Sequence, residues 1–173
     1  MDFNEKTVKE NCLYKGKILN LKRDEVELPD GKLAVREMVE HSGGSAILCE
    51  KDGKILLVKQ FRYPYKEVIY EIPAGKLNLG EDPAETAIRE LEEEGGIKAE
   101  RVVKMFDVYP TPAYTNEVIR IYRAEGLTET KINLDEDEFL SSVWVDKGEI
   151  KMMIERGEIK DAKTLIALLA VLK

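Results

Sequence analysis

One short segment, Gly75 to Ile97, carries seven acidic side chains and only two basic ones. Three of its glutamates, Glu90, Glu93 and Glu94, are spaced i, i+3 and i+4, so they lie on one face of a helix. Like charges at these separations destabilise a helix by roughly 0.2–0.5 kcal/mol per pair. A hard divalent cation with oxygen ligands would neutralise them. The pattern therefore indicates either a metal site or a solvated acidic helix face.

The same segment contains signals for the two ends of a helix. Asp82 is a good N-cap, and Pro83 suits the first helical position. Gly95 and Gly96 supply the stop signal. The apolar stripe that would face a core consists of Ala84, Ala87, Ile88 and Leu91. We expect the three glutamates on the face away from this stripe.

The spacing of the segment matches a known motif. It reads Gly75, five residues, Glu81, seven residues, then Arg89-Glu90-Leu91-x-Glu93-Glu94-x-Gly96-Ile97. It therefore resembles, at every defining position, the Nudix box, Gly-x5-Glu-x7-Arg-Glu-U-x-Glu-Glu-x-Gly-U, where U is a bulky aliphatic residue. Nudix hydrolases cleave a nucleoside diphosphate linked to another moiety. The resemblance implies an α/β protein, a Nudix-type α/β/α sandwich with a mixed sheet.

The resemblance also implies a metal site. Glu90 and Glu94 are the implied principal ligands, Glu93 is a further ligand or a positioning group, and the carbonyl of Ala74 completes the site. The implied ion is Mg2+, with Mn2+ as the second choice. Such an ion polarises the pyrophosphate oxygens and orients the attacking water.

Other box residues have an implied structural role. These positions are Gly75, Glu81, Arg89 and Gly96. Glu81 and Arg89 are expected to pair and to hold the box loop against its helix. Arg89 is also spaced to offset the charge of Glu93.

Outside the box, several stretches resemble the ADP-ribose pyrophosphatase branch of the family. They are Val35–His41, Val58–Tyr63, Tyr70–Gly75, and Pro112, which lies sixteen positions after Gly96. The implied substrate is ADP-ribose or a close nucleoside diphosphate sugar, with AMP and ribose 5-phosphate as products. Alternatives are a dinucleoside polyphosphate, FAD or NADH as substrate, or a non-catalytic sensor that binds ADP-ribose.

Four residues are candidates for substrate contacts. Arg62 can bind a diphosphate through two parallel hydrogen bonds, although an exposed strand-end arginine is an equal reading. Glu71 is a candidate for adenine or ribose, or it pairs with Arg62. Arg36 is a candidate for a phosphate or the terminal ribose, in the partner subunit if the dimer is swapped. Pro112 is the fourth, through the branch resemblance.

The loop from Tyr109 to Glu117 resembles the branch's S-P-G-x-S-x-E loop. The resemblance implies that Glu117 swings over the metals on a mobile loop and acts as general base, with Glu93 as its rival. A plain connection between two strands is the alternative. His41, the single histidine, is expected to make a structural hydrogen bond at a strand end.

Strands are expected at Leu13–Arg23, Glu25–Leu28 and Lys32–Glu40, followed by a hairpin of Ser45–Glu50 and Lys54–Arg62. Further strands are expected at Val68–Ile72, Val102–Val108, Val118–Ala124 and Val143–Val145, and helices at Lys147–Arg156 and Ala162–Leu172. We predict a β-rich dimerisation segment at residues 1–41 and the catalytic domain at residues 42–173. The protein is expected to be a homodimer.

The composition and net charge limit the partners and the cellular location that we expect. The chain has 173 residues and a net charge of −7, which argues against nucleic acid as a partner. It shows neither a signal sequence nor an apolar run that could span a bilayer, so no membrane association is expected. Cys12 and Cys49 are predicted to be buried thiols in a reducing cytoplasm.

Overall fold

The computed structural model describes residues 3–134 and 138–172. The chain divides into two compact units. One consists of Met1–Gly43 and Tyr109–Val118, and the other of Gly44–Val108 and Ile119–Lys173.

The first unit contains a four-stranded antiparallel sheet. Its strands are β1 (Lys6–Lys9), β2 (Cys12–Lys15), β3 (Leu19–Glu27) and β4 (Leu33–His41). The long strand β3 pairs with each of the other three. The sheet confirms the expected β-rich N-terminal segment.

The predicted single strand Leu13–Arg23 is wrong, because a tight turn at Gly16 separates β2 from β3. The amide of Gly16 donates to the carbonyl of Leu19 over 2.9 Å. A Cβ at Gly16 would approach the Tyr14 ring to 2.7 Å and the Leu19 carbonyl oxygen to 3.0 Å, so a larger residue would require the exposed Tyr14 side chain to move. The predicted break before Glu25 is also wrong, since β3 runs on to Glu27.

The second unit contains the remaining strands and all the helices of the described residues. Its strands are β5 (Gly44–Leu48), β6 (Glu50–Lys51), β7 (Lys54–Arg62), β8 (Glu67–Glu71), β9 (Ala74–Lys76), β10 (Ile97–Val108), β11 (Ile119–Glu129) and β12 (Leu140–Asp146). Its helices are α1 (Pro83–Gly95), α2 (Lys147–Glu155) and α3 (Ala162–Val171). The two C-terminal helices are confirmed, and the later strands are longer than expected. The predicted hairpin of Ser45–Glu50 with Lys54–Arg62 is only partly right: the short β6 pairs with β7, whereas β5 ends before Cys49 and pairs with β9 and β11 in another sheet.

The strands of this unit form two sheets. One has the order β10-β11-β5-β9, and it is mixed because β5 and β11 run parallel. In the other sheet β7 pairs antiparallel with β6, β8 and β12. The expected mixed sheet is confirmed.

Two hydrophobic cores lie on opposite sides of β5 and β7. Successive side chains of a strand point to opposite faces, and β5 separates its residues accordingly. Ala46 and Leu48 pack in a cluster with α2 and α3 residues, whereas Ile47 packs with Ala87 and Leu91 of α1. Helices therefore cover both faces, which confirms the α/β/α sandwich.

The two cysteines differ in exposure. Cys49 is buried as predicted, but the prediction for Cys12 is wrong, since it lies on the exposed strand β2. No helix of the described residues is both long and apolar enough to cross a membrane. The division at residues 41 and 42, and dimerisation by the first segment, stay predictions.

Candidate active site

Helix α1 carries the clustered glutamates, and its ends are set by the expected residues. The Asp82 side chain accepts a hydrogen bond from the Ala84 amide over 2.7 Å, and Pro83 opens the helix. Gly96 ends it in the left-handed conformation, with φ of 63°. Both predicted helix ends are confirmed.

Two of the three clustered glutamates are buried. Glu90 is 6% exposed and Glu94 is 3% exposed, whereas Glu93 is half-buried. A solvated acidic helix face is therefore excluded. Burial of carboxylates is costly without partners, so their contacts decide what this face can do.

Gly75 makes room for Glu90. A Cβ at residue 75 would lie 1.8 Å from Oε1 of Glu90, a distance that no side chain could accommodate. Gly75 lies on β9 and Glu90 on α1. The glycine of the box therefore permits the close approach of strand and helix that buries the carboxylate.

Arg89 holds the box loop to the helix as predicted. Its Nε and Nη2 donate to the two carboxylate oxygens of Glu81 over 2.9 and 3.3 Å. Its Nη1 lies 2.7 Å from a carboxylate oxygen of both Glu90 and Glu93. The Arg89 guanidinium lowers the pKa of Glu81 to about 2. The expected pair is confirmed, and Arg89 neutralises part of the glutamate cluster.

Within residues 3–134 and 138–172, no basic side chain forms a salt bridge with Glu94. Its Oε2 accepts a hydrogen bond from the Ala74 amide over 2.9 Å. Burial raises the pKa of Glu94 to about 8, and the nearby charge of Glu90 adds to the effect. Burial likewise raises the pKa of Glu90 to about 7, although Arg89 opposes the shift. Both carboxylates are thus short of positive charge.

The lack of positive charge around Glu90 and Glu94 fits a bound divalent cation. Oxygen donors from Glu90 and Glu94 suit magnesium or manganese, and Ala74 lies beside Glu94. Among residues 3–134 and 138–172, however, no three acidic, histidine or cysteine side chains already converge as a metal site. Glu93 instead binds Arg89. The ligand roles of Ala74, Glu90, Glu93 and Glu94 stay predictions.

Arg62 and Glu71 form a bidentate ion pair. The Arg62 Nε donates to Glu71 Oε1 over 2.5 Å, and Nη2 donates to Oε2 over 2.9 Å. The alternative that Glu71 pairs with Arg62 is therefore confirmed. Glu71 is only 1% exposed. The Arg62 side chain stays 39% exposed. The charge of Glu94 acts on both residues, so the pair lies near the α1 carboxylates.

Glu71 also binds a second cation that the sequence reasoning missed. Lys163 of α3 donates to Glu71 Oε2 and lies 3.0 Å from Asp161. Burial alone would raise the pKa of Glu71, but Arg62 and Lys163 outweigh it and the pKa lies below its ordinary value. No sequence signal links residues 92 positions apart.

Glu138 is another residue that sequence reasoning missed. Burial is the main cause of the raised pKa values of Glu90 and Glu94, and the charge of Glu138 adds to both. Glu138 is thus a further carboxylate near the cluster. The acidic run Asp135–Glu138 was a possible signal for it; residues 135–137 lie outside the described residues.

Glu117 and His41 lie together in the first unit. Nδ1 of His41 is 3.3 Å from Oε1 of Glu117. The same Nδ1 accepts a hydrogen bond from the Gly43 amide over 3.1 Å, just after β4 ends. The expected structural hydrogen bond of His41 is confirmed. The role of Glu117 as base stays a prediction.

The loop that carries Glu117 is bonded to β4. The Val39 amide donates to the Tyr114 carbonyl over 2.7 Å, and the Asn116 amide donates to the Val39 carbonyl over 3.3 Å. Motion of this loop would require these bonds to open. Pro112 lies exposed in its turn.

Arg36, the other candidate of this unit, binds Glu5. Its Nε donates to Glu5 Oε2 over 2.8 Å. The Arg36 side chain remains 48% exposed. Substrate contacts by Arg36, Arg62, Glu71 and Pro112 stay predictions.

Comparison with known families gives the decisive observation. The NUDIX domain family matches residues 39–168. The chain belongs to this family. The nucleoside diphosphate sugar hydrolase N-terminal domain matches residues 5–39.

Individual relatives of this Nudix hydrolase cover nearly its whole length. An ADP-ribose pyrophosphatase of Bacillus subtilis (strain 168) is 44% identical over 95% of this chain and 90% of the relative. A methanol dehydrogenase activator of Bacillus methanolicus is 41% identical over 95% of this chain and 91% of the relative. A crystal structure of an ADP compounds hydrolase superposes with a TM-score of 0.85 at 20% identity, covering 99% of this chain and 94% of that one. The last likeness supports the fold alone.

Nudix hydrolases generally use divalent metal ions, and the buried glutamates of α1 carry oxygen donors of the kind that such an ion binds. With the family shown, the resemblance drawn from the box is confirmed. The chain is a hydrolase of the ADP-ribose diphosphatase-like kind.

Proposed function

We propose that this enzyme hydrolyses the pyrophosphate bond of ADP-ribose, or of a close nucleoside diphosphate sugar, with Mg2+ or alternatively Mn2+. The oxygen of water attacks one phosphorus, and the P–O bond from that phosphorus to the bridging oxygen breaks, so the other phosphate leaves with the bridging oxygen. The products are AMP and ribose 5-phosphate. The relatives named as an ADP-ribose pyrophosphatase and as a nucleoside diphosphate sugar hydrolase domain support this substrate class.

One observation carries the proposal. Glu90 and Glu94 are buried on α1 with raised pKa values and too little positive charge around them. Bound there, the ion would supply charge to polarise the diphosphate and lower the pKa of a water. Glu90 and Glu94 would hold it, together with the Ala74 carbonyl.

Each remaining residue has a proposed task. Arg62 commits Nε and Nη2 to Glu71 and can offer Nη1 to a phosphate oxygen. Glu93, Glu117 and Glu138 are the candidates for the base that accepts a proton from water. Glu138 is favoured because its charge acts on Glu90 and Glu94, while Glu93 is engaged by Arg89.

The test is product formation from ADP-ribose with Mg2+, with Mn2+ and with EDTA. GDP-mannose, other sugar nucleotides, FAD, NADH and diadenosine polyphosphates complete the panel. We expect metal-dependent release of AMP, fastest from ADP-ribose. Preferential cleavage of another compound would keep the Nudix chemistry and refute the substrate, and cleavage in EDTA would refute the metal requirement.

We propose further that the enzyme is a homodimer formed through residues 1–41. Several apolar side chains of the first sheet are more than half exposed, namely Val8, Leu13, Tyr14 and Leu33, and such patches commonly mark interfaces. Light scattering of the full chain should give the mass of a dimer. A monomer at micromolar concentration would refute the proposal.

We expect the enzyme to act in the cytoplasm, without nucleic acid or membrane as partners. The free thiols of Cys12 and Cys49 support a reducing compartment, and the net charge of −7 opposes binding to polyanions.

The alternative is a sensor that binds ADP-ribose and regulates a partner. Similarity to the methanol dehydrogenase activator is the observation that favours a protein partner. The complete set of box glutamates favours catalysis. Tight binding of ADP-ribose without turnover under any metal would select the sensor.

A further inference from the structure

We propose that Lys163 is a positioning residue for the hydrolysis: it holds Glu71 so that Glu71 presents the Arg62 guanidinium to the diphosphate. This inference rests on the proposed function, because it concerns the same substrate and the proposed contact of Arg62. Lys163 touches neither the substrate nor the metal ligands in this proposal. It acts through Glu71.

The position of Lys163 on its helix is unfavourable in isolation. It is the second residue of α3, after the N-cap Asp161 and Ala162. A cation at this end of a helix is repelled by the helix dipole. Lys163 is also only 8% exposed, and burial of its ammonium costs solvation and side-chain entropy. A buried ion pair is rarely more stable than apolar residues of similar size, so stability alone does not explain this lysine.

The contacts of Lys163 supply the reason for its position. Its ammonium bridges Glu71 and Asp161, while Glu71 binds Arg62 through both oxygens. The four residues carry two positive and two negative charges. Glu71 and Lys163 are both buried, so water competes little for their bonds. Only the Arg62 end of this network is substantially exposed, with 39% of its side chain accessible.

The start of α3 is also bonded to the backbone that leads into the box. Thr164 donates its hydroxyl to Asp161 over 2.6 Å and accepts a hydrogen bond from the Ile72 amide over 2.9 Å. Two residues later, the Ala74 amide donates to Glu94 over 2.9 Å. The segment between Glu71 and Ala74 is thus bonded to α3 at one end and to the buried carboxylate of α1 at the other.

This arrangement predicts a specific defect. Without Lys163, Glu71 keeps one cation and can rotate toward any remaining donor, so Arg62 loses its fixed orientation. The substrate affinity should fall, whereas the chemistry at the α1 glutamates should change little. A purely structural role would instead lower stability without a selective effect on affinity.

The experiment compares Lys163→Met, Arg62→Met and the double variant with the unmodified enzyme. We measure KM and kcat for ADP-ribose with Mg2+, and the Kd of ADP-ribose in EDTA by calorimetry. Each single variant should raise KM and Kd about tenfold, the scale of one lost charge-assisted hydrogen bond, with kcat within about twofold. In the Arg62→Met background, Lys163→Met should add nothing.

Two further variants separate positioning from folding. Lys163→Arg keeps a cation beside Glu71 and should restore affinity to within about threefold. Combining Glu71→Gln with Lys163→Met removes both buried charges, so stability to urea should recover while the affinity defect remains. Lys160→Met is the matched control, because Lys160 binds the exposed Glu67 and should leave KM unchanged.

The outcomes are distinguishable. Two results would overturn the positioning role alone. In one, Lys163→Met leaves the affinity for ADP-ribose unchanged. In the other, Lys163→Met lowers the affinity of the Arg62→Met variant by as much as it lowers that of the unmodified enzyme. Affinity that recovers together with stability would show a structural role and overturn it too. An unaffected Arg62→Met would refute the proposed diphosphate contact, and absence of ADP-ribose binding would refute the substrate and this inference together.

Discussion

Two buried carboxylate sites in the second unit differ in how their charge is neutralised. Glu71 is in contact with two cations, Arg62 and Lys163, and its pKa lies below the ordinary value. Glu94 accepts a hydrogen bond from the Ala74 amide, and burial raises its pKa to about 8. The two side chains have similar exposure, 1% and 3%.

Burial alone therefore does not determine the role of an acidic residue; the positive charge provided around it does. Glu71 has its charge balanced within the protein and can orient another residue. Glu94 and Glu90 have too little positive charge around them to favour their ionised forms, and an external cation can supply it.

Replacing Glu94 by glutamine should lower kcat on the order of 10³-fold, the scale seen when one group that stabilises transition-state charge is removed. The fold should survive, because a glutamine oxygen can still accept from the Ala74 amide. Steady-state kinetics with Mg2+ and circular dichroism make the measurement. The control is Glu85→Gln, at an exposed position on the same helix. Comparable activity in both variants would refute the assignment of Glu94 as a metal ligand.

Replacing Glu138 by glutamine should lower kcat about 10²-fold at nearly constant KM, as expected for loss of a general base. Its charge acts on Glu90 and Glu94. Glu117→Gln provides the comparison, and we expect the smaller loss there. A larger loss in Glu117→Gln would reverse the order, and full activity in both variants would leave Glu93 as the base.

Replacing Glu71 by glutamine should lower the free energy of unfolding by about 3 kcal/mol, because it leaves the buried ammonium of Lys163 short of a partner. Glu94→Gln in metal-free protein should not be destabilised in this way. Urea unfolding of both variants at pH 8 gives the comparison. Glu67→Gln removes an exposed partner of Lys160 and should cost at most about 1 kcal/mol; equal losses at residues 67 and 71 would contradict the interpretation.

The stability of the metal-free protein should respond to pH with opposite signs at the two sites. Glu90 and Glu94 keep their protons up to about pH 7 and 8 when folded, whereas the unfolded chain releases them near its ordinary pKa of about 4.5. The folded state thus binds more protons, and stability falls as pH rises through this window. The slope is at most about 1.4 kcal/mol per pH unit for each group.

The contribution of Glu71 to the free energy of unfolding depends on pH in the opposite direction. Because its folded pKa is lowered, its stabilisation is complete above the ordinary pKa of a glutamate and is lost as pH falls below it. Urea unfolding between pH 3 and 9, with and without Mg2+, measures both effects. Mg2+ should stabilise the protein more at pH 8 than at pH 6, and a stabilisation independent of pH would argue against Glu90 and Glu94 as ligands.

Local sequence signals predicted much of this architecture. Residues close along the chain determine the helix ends at Asp82 and Gly96 and the pair of Glu81 with Arg89, because these contacts span one or two helical turns or a short loop. The strand Lys54–Arg62 follows from the turn before it and from its apolar run, which is buried continuously from Ile55 to Val58. Errors occurred where a single glycine redirects the chain, as at Gly16.

Residue spacing along one helix is enough to identify the family, the clustered carboxylates and the arginine that holds them. Which carboxylates are buried, and which have cations beside them, depends on the tertiary structure. Lys163 reaches Glu71 across 92 residues, and Gly75 lets strand β9 approach Glu90. Charge balance in a protein interior depends on which distant segments pack together, and no local pattern encodes that packing.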